Sequence, residues 1–477
     1  MLFWILRGRL RSGVIAHTTM TDPRSSDGKM SQVLADVADR SARYLNGIGD
    51  RRVAPSPEAL AGLKAFDVPL QDSPMSAEQV VEELDRIGSP ATMAIAGPRF
   101  FGFVNGSALP AALAANWLST AWEQNGSFSV SSPGSTRLEQ IALRWTIELL
   151  GLPVASVGAF VTGTTVAHIT ALAAARGSVL ARVGWNVEAD GLFGAPPITV
   201  IGGAEAHPTV FKALGVVGLG RNRVVKVPVD SQGRLRAEAL PSLSGPTIVC
   251  LQAGNVNTGA CDPFREVIQH VRASGAPAWV HIDGAFGLWA RAAPARAHLT
   301  QGLELADSWA TDAHKWLNSP YDCGMAIVRD GDALRKAMAI TADYLPSDRT
   351  NPSDYTPEMS RRPRGVDAWA SLRALGRTGL ADLVERNCRL ANRFAEAFRH
   401  AGFPVLNEVV LNQVLVSFGD AERTRQVIAA IQDEGTCWAG GTVWQGRTAM
   451  RVSVISWATT ETDVDRSIAA ILRVARA

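Results

Sequence analysis

The chain has 477 residues, 47% hydrophobic and 19% charged, with a formal net charge of +2; this excludes a largely disordered polymer and suits a globular protein with large buried elements. Lys plus Arg at 47 against Asp plus Glu at 45 leaves no basic excess to neutralise phosphates, so nucleic acid is not an expected partner. Single hydrophobic cores stop growing near roughly 250–300 residues, so two or three packed units are expected.

At the N-terminus the apolar run 2–6 is shorter than the roughly 7–15 apolar residues of a secretory signal, so no export is expected, and residues 1–19 receive no function. No segment reaches the roughly 18 continuous apolar residues that cross a bilayer, and no membrane partner is expected. Five scattered cysteines without a CxxC pair point to reduced thiols in a cytoplasm rather than to a disulfide framework or a metal site. Residues 31–95 read as helices interrupted by Pro55, Pro57, Pro69, Pro74 and Pro90, with no dense core pattern of their own; such a segment wraps another surface. Next, Thr136 and Glu139 have capping-box spacing, Leu138, Ile141, Trp145 and Leu149 fall on one face, and Gly151-Leu152-Pro153 ends the run, which predicts a core-packing helix.

From there short β-rich runs at 158–161, 198–201, 223–227, 247–251, 279–283 and 324–329 alternate with helix-forming segments, the pattern of a parallel α/β sheet. A polar, Pro-rich stretch over 346–363 separates this region from helices and the strand candidates 413–418 and 449–455. A smaller α+β domain is expected there, with its boundary near 345–365.

Two motifs carry chemistry. His281-Ile282-Asp283-Gly284-Ala285 closes a predicted strand, and Asp312-Ala313-His314-Lys315-Trp316 places Lys315 32 positions after Asp283. Taken singly, an aspartate at a strand end is more often a helix cap and a lysine after histidine more often a surface residue. Together they resemble the group II pyridoxal-dependent decarboxylases of the aspartate-aminotransferase-like fold. The resemblance implies a pyridoxal 5′-phosphate cofactor, with Asp283 paired to the pyridinium nitrogen and Lys315 as the Schiff-base anchor. A carboxylate beside the ring nitrogen holds it protonated, so the ring accepts the electron pair left at Cα when a bond breaks. A lysine amine is nucleophilic only when unprotonated, and desolvation beside cationic groups is expected to favour that form.

Upstream, Thr162-Gly163-Thr164-Thr165 leads from a strand into a helix, and free N–H groups with adjacent hydroxyls at a helix start make an anion site. By itself such a turn is equally a plain N-cap. By resemblance it holds the cofactor phosphate through Gly163, Thr164 and Thr165, although Val166 and His168 stand near positions where the family commonly carries Glu and Asn or Thr. Ala206-His207-Pro208-Thr209 matches the histidine that stacks on the cofactor ring, giving catalytic candidates Lys315, His207 and Asp283. Asp312 and His314 are placed at the cofactor in the same way, His314 as a proton relay. Thr258, in Asn257-Thr258-Gly259-Ala260 before Asp262-Pro263, is placed beside the cofactor's 3′ oxygen. Arg99-Phe100-Phe101-Gly102-Phe103 resembles the substrate-side segment, with simple core packing an equal reading of its aromatics.

The likeness runs from about residue 97 to the end, with the segment from Leu372 to Leu380 resembling the start of the C-terminal domain. It implies an α/β, PLP-dependent transferase-like large domain at 96–350, a small C-terminal domain at 351–477, an N-terminal helical segment at 1–95 and a homodimer. It also implies decarboxylation of an amino-acid substrate to its amine. The family's mobile loop carries a tyrosine that protonates Cα. Here Tyr344 and Tyr355 are the candidates, Tyr355 in the more mobile-looking stretch. Without such a donor, another pyridoxal reaction (Cα–Cβ lysis, transamination or oxidative deamination) or a silent binding relative is the alternative.

Overall fold

The structure, a computed structural model, describes residues 27–340 and 351–477. The N-terminal run 2–6, Tyr344 and most of the anticipated boundary before residue 351 lie outside the described residues. Ten strands are described: β1 (Val157–Val161), β2 (Thr199–Gly203), β3 (Val225–Val227), β4 (Thr247–Gln252), β5 (Ala278–Asp283), β6 (Ser308–Asp312), β7 (Gly324–Val328), β8 (Gln413–Val416), β9 (Gly440–Trp444) and β10 (Arg447–Ser453).

Strands β1 to β7 form one sheet in the order β1-β7-β6-β5-β4-β2-β3. The neighbours from β6 to β3 pair in parallel, while β7 runs antiparallel between β1 and β6. The sequence accounts for this. In β4 and β5 every residue is buried, as expected for strands covered on both faces by crossover helices. All six strands anticipated here are present. The seventh, β6, ends on Asp312, the first residue of the Asp312-Ala313-His314-Lys315-Trp316 motif.

The helix Thr164–Ala181 follows β1 directly, and its buried alanines Ala171, Ala173, Ala174 and Ala175 allow close approach to the sheet. Trp279 packs with these alanines in one core, and Trp289, Trp309 and Trp316 lie together in another; all four are fully buried and supply much of the apolar area that stabilises the sheet. Strands β8, β10 and β9 form a second, antiparallel sheet in that order. The 36-residue helix Gly365–His400 is interrupted at Gly376 (φ 60°), a left-handed conformation that suits glycine.

Two compact units emerge: residues 27–47 with Pro57–Ala91, and Ile48–Ser56 with Thr92–Ala477. Both sheets belong to the second unit. The first holds the helices Asp27–Gly47, Pro57–Gly62 and Ala77–Glu83, tied internally by Arg40 to Asp85 at 3.0 Å. It exposes Leu34, Leu60, Phe66, Leu70 and Leu84.

The expected capping box is corrected. The helix runs Pro133–Leu149 with Ser132 as N-cap and no side-chain cap bond, so Thr136 lies inside the first turn and donates to Ser132 O at 2.9 Å. Glu139 is buried and accepts from Arg361 Nη2 at 2.5 Å, a partner too distant in sequence to be foreseen. The most buried face carries Ser135, Thr136, Glu139, Ala142 and Thr146, not the predicted Leu138, Ile141, Trp145 and Leu149, which are half-buried.

Candidate active site

A cavity of about 350 Å³ is lined by Thr162–Thr165, His207, Gln252, Asp283, Asp312, His314 and Lys315, together with Phe103, Thr209 and Tyr321. Its residues come from just beyond β1 and β2 and from the ends of β4, β5 and β6. This is the carboxyl end of the parallel strands, where open α/β sheets bind ligands. A larger cavity of about 660 Å³, lined by Glu139, Leu143, Ile147 and Tyr355, contains neither a lysine nor a histidine, so the smaller one is the chemical site.

Lys315 sits in the turn after β6. Its Nζ lies 3.0 Å from Asp312 Oδ2, while Asp312 Oδ1 accepts the Thr164 backbone N–H at 2.7 Å. One buried carboxylate therefore ties the lysine to the start of the helix Thr164–Ala181. Burial would raise the Asp312 carboxyl, but Lys315, His314 and the Thr164 bond outweigh it and hold the group below its ordinary value. The expected cationic surroundings of Lys315 are thus corrected: its nearest charge is an anion.

The turn's geometry depends on close approaches. A Cβ at Gly106 would fall 2.1 Å from Lys315 O, and one at Gly324 would fall 2.5 Å from the Gly163 Cα, so only glycine admits these backbones. Asn318 (φ 53°) is fully buried. Its Oδ1 accepts from Ser107 N and Trp457 N, each at 3.0 Å, and its Nδ2 donates to Trp316 O at 2.8 Å and Ile455 O at 3.1 Å.

Two further histidines line the cavity. His207 caps the helix Pro208–Val216, its Nδ1 accepting from Thr209 N at 3.3 Å, which leaves the proton on Nε2. His314 Nδ1 accepts from Cys323 N at 3.2 Å, and its ring stacks on Tyr321 with centroids 4.3 Å apart. Burial lowers both imidazoles below their ordinary value, so both are neutral near pH 7.

Asp283 ends β5. One carboxylate oxygen accepts from Ala285 N at 3.1 Å; the other lies 3.6 Å from His168 Nε2. Burial alone would raise this carboxyl, but its neighbours, His168 first and then His207 and Lys315, outweigh that and hold it well below the usual carboxylate range. It therefore offers a fixed negative charge to the cavity. At the opposite end the Thr164 hydroxyl is buried with no hydrogen-bond partner among the described residues. An orphaned donor costs about 1–3 kcal/mol, and a phosphate at this helix start would satisfy it. A carboxylate for a ring nitrogen, a lysine for an aldehyde and a donor-rich turn for a phosphate thus fit the implied cofactor.

The other anticipated residues are placed differently. Thr258 is outside the cavity lining; its hydroxyl donates to Gln232 O at 2.6 Å, and Gly254 and Val256 line the cavity instead. Tyr355 lies in the turn Pro352–Tyr355 and lines the larger cavity. Phe101 is buried edge-on against Phe394, the core reading. Phe100 and Phe103 stack on Trp438 at 5.1 and 5.4 Å, and Phe103 is 65% exposed while lining the cavity, with φ 53°. Tyr321 went unnoticed in the sequence although it stands six positions after Lys315 in the Lys315-to-Cys323 turn; that proximity was the available signal.

This site, at the strand ends of this sheet order, is that of a pyridoxal-phosphate-dependent enzyme of α/β fold. Residues 57–419 match the family model described as pyridoxal-dependent decarboxylase conserved domain, so the chain belongs to that family of amino-acid decarboxylases. It is similar to tryptophan decarboxylase 1 of Oryza sativa subsp. japonica, 28% identical over 401 residues, covering 75% of this chain and 76% of the relative. It is equally similar to L-2,4-diaminobutyrate decarboxylase of Rhizobium meliloti (strain 1021), 28% identical over 441 residues, with 87% and 86% covered. The fold matches the crystal structure of Oryza sativa TDC with PLP and tryptamine at a TM-score of 0.87 and 23% identity, covering 96% of this chain and 99% of that one.

Proposed function

We propose that this decarboxylase acts on an amino acid with an aromatic side chain, with Lys315, Asp283 and His207 as its catalytic residues. The observation that carries the reading is the convergence of Lys315, Asp283 and the Thr162–Thr165 turn on one cavity whose wall includes Phe103, itself stacked on Trp438. An exposed aromatic platform favours a flat side chain by offset stacking, worth about 0.5–1.5 kcal/mol beyond burial. Identity to the tryptophan decarboxylase and to the diaminobutyrate decarboxylase is the same 28%, so the choice between an aromatic and a diamino acid rests on this platform.

When bound, the cofactor supplies an electron sink for the pair released at Cα. The chain supplies the rest. The first-turn N–H groups and hydroxyls around Gly163, Thr164 and Thr165 bind the phosphate; Thr164 N is already engaged by Asp312, so the Thr164 and Thr165 hydroxyls and the remaining donors carry the load. Asp283 holds a proton on the ring nitrogen. Asp312 holds and orients the Lys315 side chain, and His207, just beyond β2 in the cavity wall, would lie against the ring. His314, neutral and stacked on Tyr321, orients the wall beside Lys315, and Tyr321 brings a hydroxyl to the cavity for proton delivery to the substrate. Thr258 acts from behind, through the turn that places Gly254 and Val256.

In the same reading residues 96–350 carry the cofactor, 351–477 complete the substrate side, and 1–95 serve a second copy of the chain in a cytoplasmic homodimer. The exposed Leu34, Leu60, Phe66, Leu70 and Leu84 support that use of the first unit. No described helix is long and apolar enough to cross a membrane. The test is a panel of amino acids with pyridoxal phosphate added. Equal yields of carbon dioxide and amine, highest for aromatic substrates, are expected; preference for 2,4-diaminobutyrate would overturn the substrate reading, and aldehyde with ammonia in place of amine would overturn the reaction.

A further inference from the structure

Behind Asp283 runs a buried chain of polar groups that the decarboxylation chemistry does not use directly. Residues Trp279, His281 and Asp283 alternate along β5 and so share one face of the strand. Ser308 is the registered neighbour of His281 on β6, and His168 projects from the helix Thr164–Ala181. The indole Nε1 of Trp279 lies 2.8 Å from Ser308 Oγ, Ser308 Oγ 2.8 Å from His281 Nδ1, and His281 Nε2 2.8 Å from His168 Nδ1. His168 Nε2 then faces Asp283 Oδ2 at 3.6 Å. His168, His281 and Ser308 are fully buried, and His168 Nε2 has no hydrogen-bond partner among the described residues.

Proton bookkeeping fixes the direction of this chain. An indole N–H can only donate, so Ser308 Oγ accepts from Trp279 and spends its own proton on His281 Nδ1. Burial pushes the His281 imidazole down to about 3, so that ring is neutral and its single proton sits on Nε2. It is donated to His168 Nδ1. With its Nδ1 accepting, His168 carries its proton on Nε2, pointed at the carboxylate. The reverse order leaves the Ser308 proton without an acceptor and sets a bare His168 nitrogen against an anion, a mismatch that burial penalises.

We propose that His168 is a positioning residue for Asp283: the Trp279–Ser308–His281 chain locks it as the Nε2–H tautomer, which orients the Asp283 carboxylate and keeps it charged toward a protonated ring nitrogen. The proposal rests on the reading that Asp283 faces the cofactor's ring nitrogen. It assigns a role to the position at which this sequence departs from the family's Asn or Thr. Partners of this kind behind a cofactor-binding group typically change affinity about 10–100-fold when removed, by the analogy of metal sites.

The test compares two cofactors on the full chain: pyridoxal phosphate, and its analogue with carbon in place of the ring nitrogen. Dissociation constants and the absorption spectrum of the bound chromophore are read for wild type, His168→Leu, His168→Gln, Ser308→Ala and Asp283→Asn. His168→Leu is expected to weaken pyridoxal phosphate about tenfold or more and the carbon analogue less than about twofold. His168→Gln, which retains an N–H near the Nε2 position, is expected to stay within about threefold of wild type for both. Ser308→Ala removes little volume, so it folds even if His168→Leu does not; by freeing the His281 tautomer it is expected to weaken pyridoxal phosphate selectively, by a smaller factor. Equal losses for both cofactors, or none for either in His168→Leu and Ser308→Ala, would overturn the proposal and leave His168 a packing residue. If Asp283→Asn also fails to discriminate the two cofactors, the assignment of Asp283 itself is wrong and the proposal falls with it.

Discussion

Replacing Asn318 with alanine tests how the Lys315 turn is held. In the folded chain its side chain satisfies two backbone donors, Ser107 N and Trp457 N, and two carbonyls, Trp316 O and Ile455 O. At about 1 kcal/mol net for each bond, with extra for buried groups left unpaired, the loss is about 4 kcal/mol. Alanine also pays about 1 kcal/mol for the left-handed φ of 53°, which asparagine tolerates and glycine avoids. Asn318→Ala should therefore lower stability by about 4–5 kcal/mol and Asn318→Gly by about 1 kcal/mol less. Because these bonds join the segments at 107, 316 and 455–457, the Lys315 turn loosens and cofactor dissociates faster. Urea unfolding followed by tryptophan fluorescence measures the first effect, and loss of visible absorbance after dilution the second. A loss below about 1 kcal/mol, or a glycine variant less stable than alanine, would refute the reasoning.

Other consequences are more direct. Asp283→Asn should retain bound cofactor and lower kcat by about two orders of magnitude or more, because an amide cannot keep the ring nitrogen protonated; near-normal steady-state turnover would show that another group contacts the nitrogen. Tyr321→Phe keeps the stack on His314 and removes only the hydroxyl, so it should slow amine formation while KM stays within about threefold; unchanged product rates would return proton delivery to another group. For pH, the folded value of His281 is lowered from 6.5 to about 3, so between those values the folded chain binds fewer protons than the unfolded one. Its contribution to stability falls as pH drops through that window, and His281→Gln should flatten the slope of Tm against pH between about 6.5 and 4.5; parallel slopes would contradict the burial argument. Phe103→Ala should raise KM for an aromatic amino acid about tenfold with a smaller change in kcat; equal KM values would remove Phe103 from the substrate wall.

The sheet was legible because its strands are short runs of Val, Ile and Leu separated by helix-forming segments. Strand β6 was the exception, as Ser308, Thr311 and Asp312 make it look polar; the burial of Ser308 and Asp312 is tolerated only because Trp279, His281, Thr164 and Lys315 bond to them. Strand β9 begins with Gly440-Gly441, which reads as a turn. In the site, Lys315, Asp283, His207 and the Thr162–Thr165 turn were readable because motif spacing fixes their place on strand ends. What escaped was set by contacts distant in sequence. Glu139 pairs with Arg361 222 positions away, His168 meets His281 113 positions away, and Thr258 turns toward Gln232 rather than the cavity. No local pattern encodes those choices.

The most direct test of the account is where the cofactor attaches. Purified chain loaded with pyridoxal phosphate is reduced with borohydride, digested and mapped by mass spectrometry. The account predicts the reduced cofactor on the peptide containing Lys315, and its disappearance in Lys315→Ala. Recovery of the label on any of the chain's five other lysines, or an undiminished label in Lys315→Ala, would contradict it.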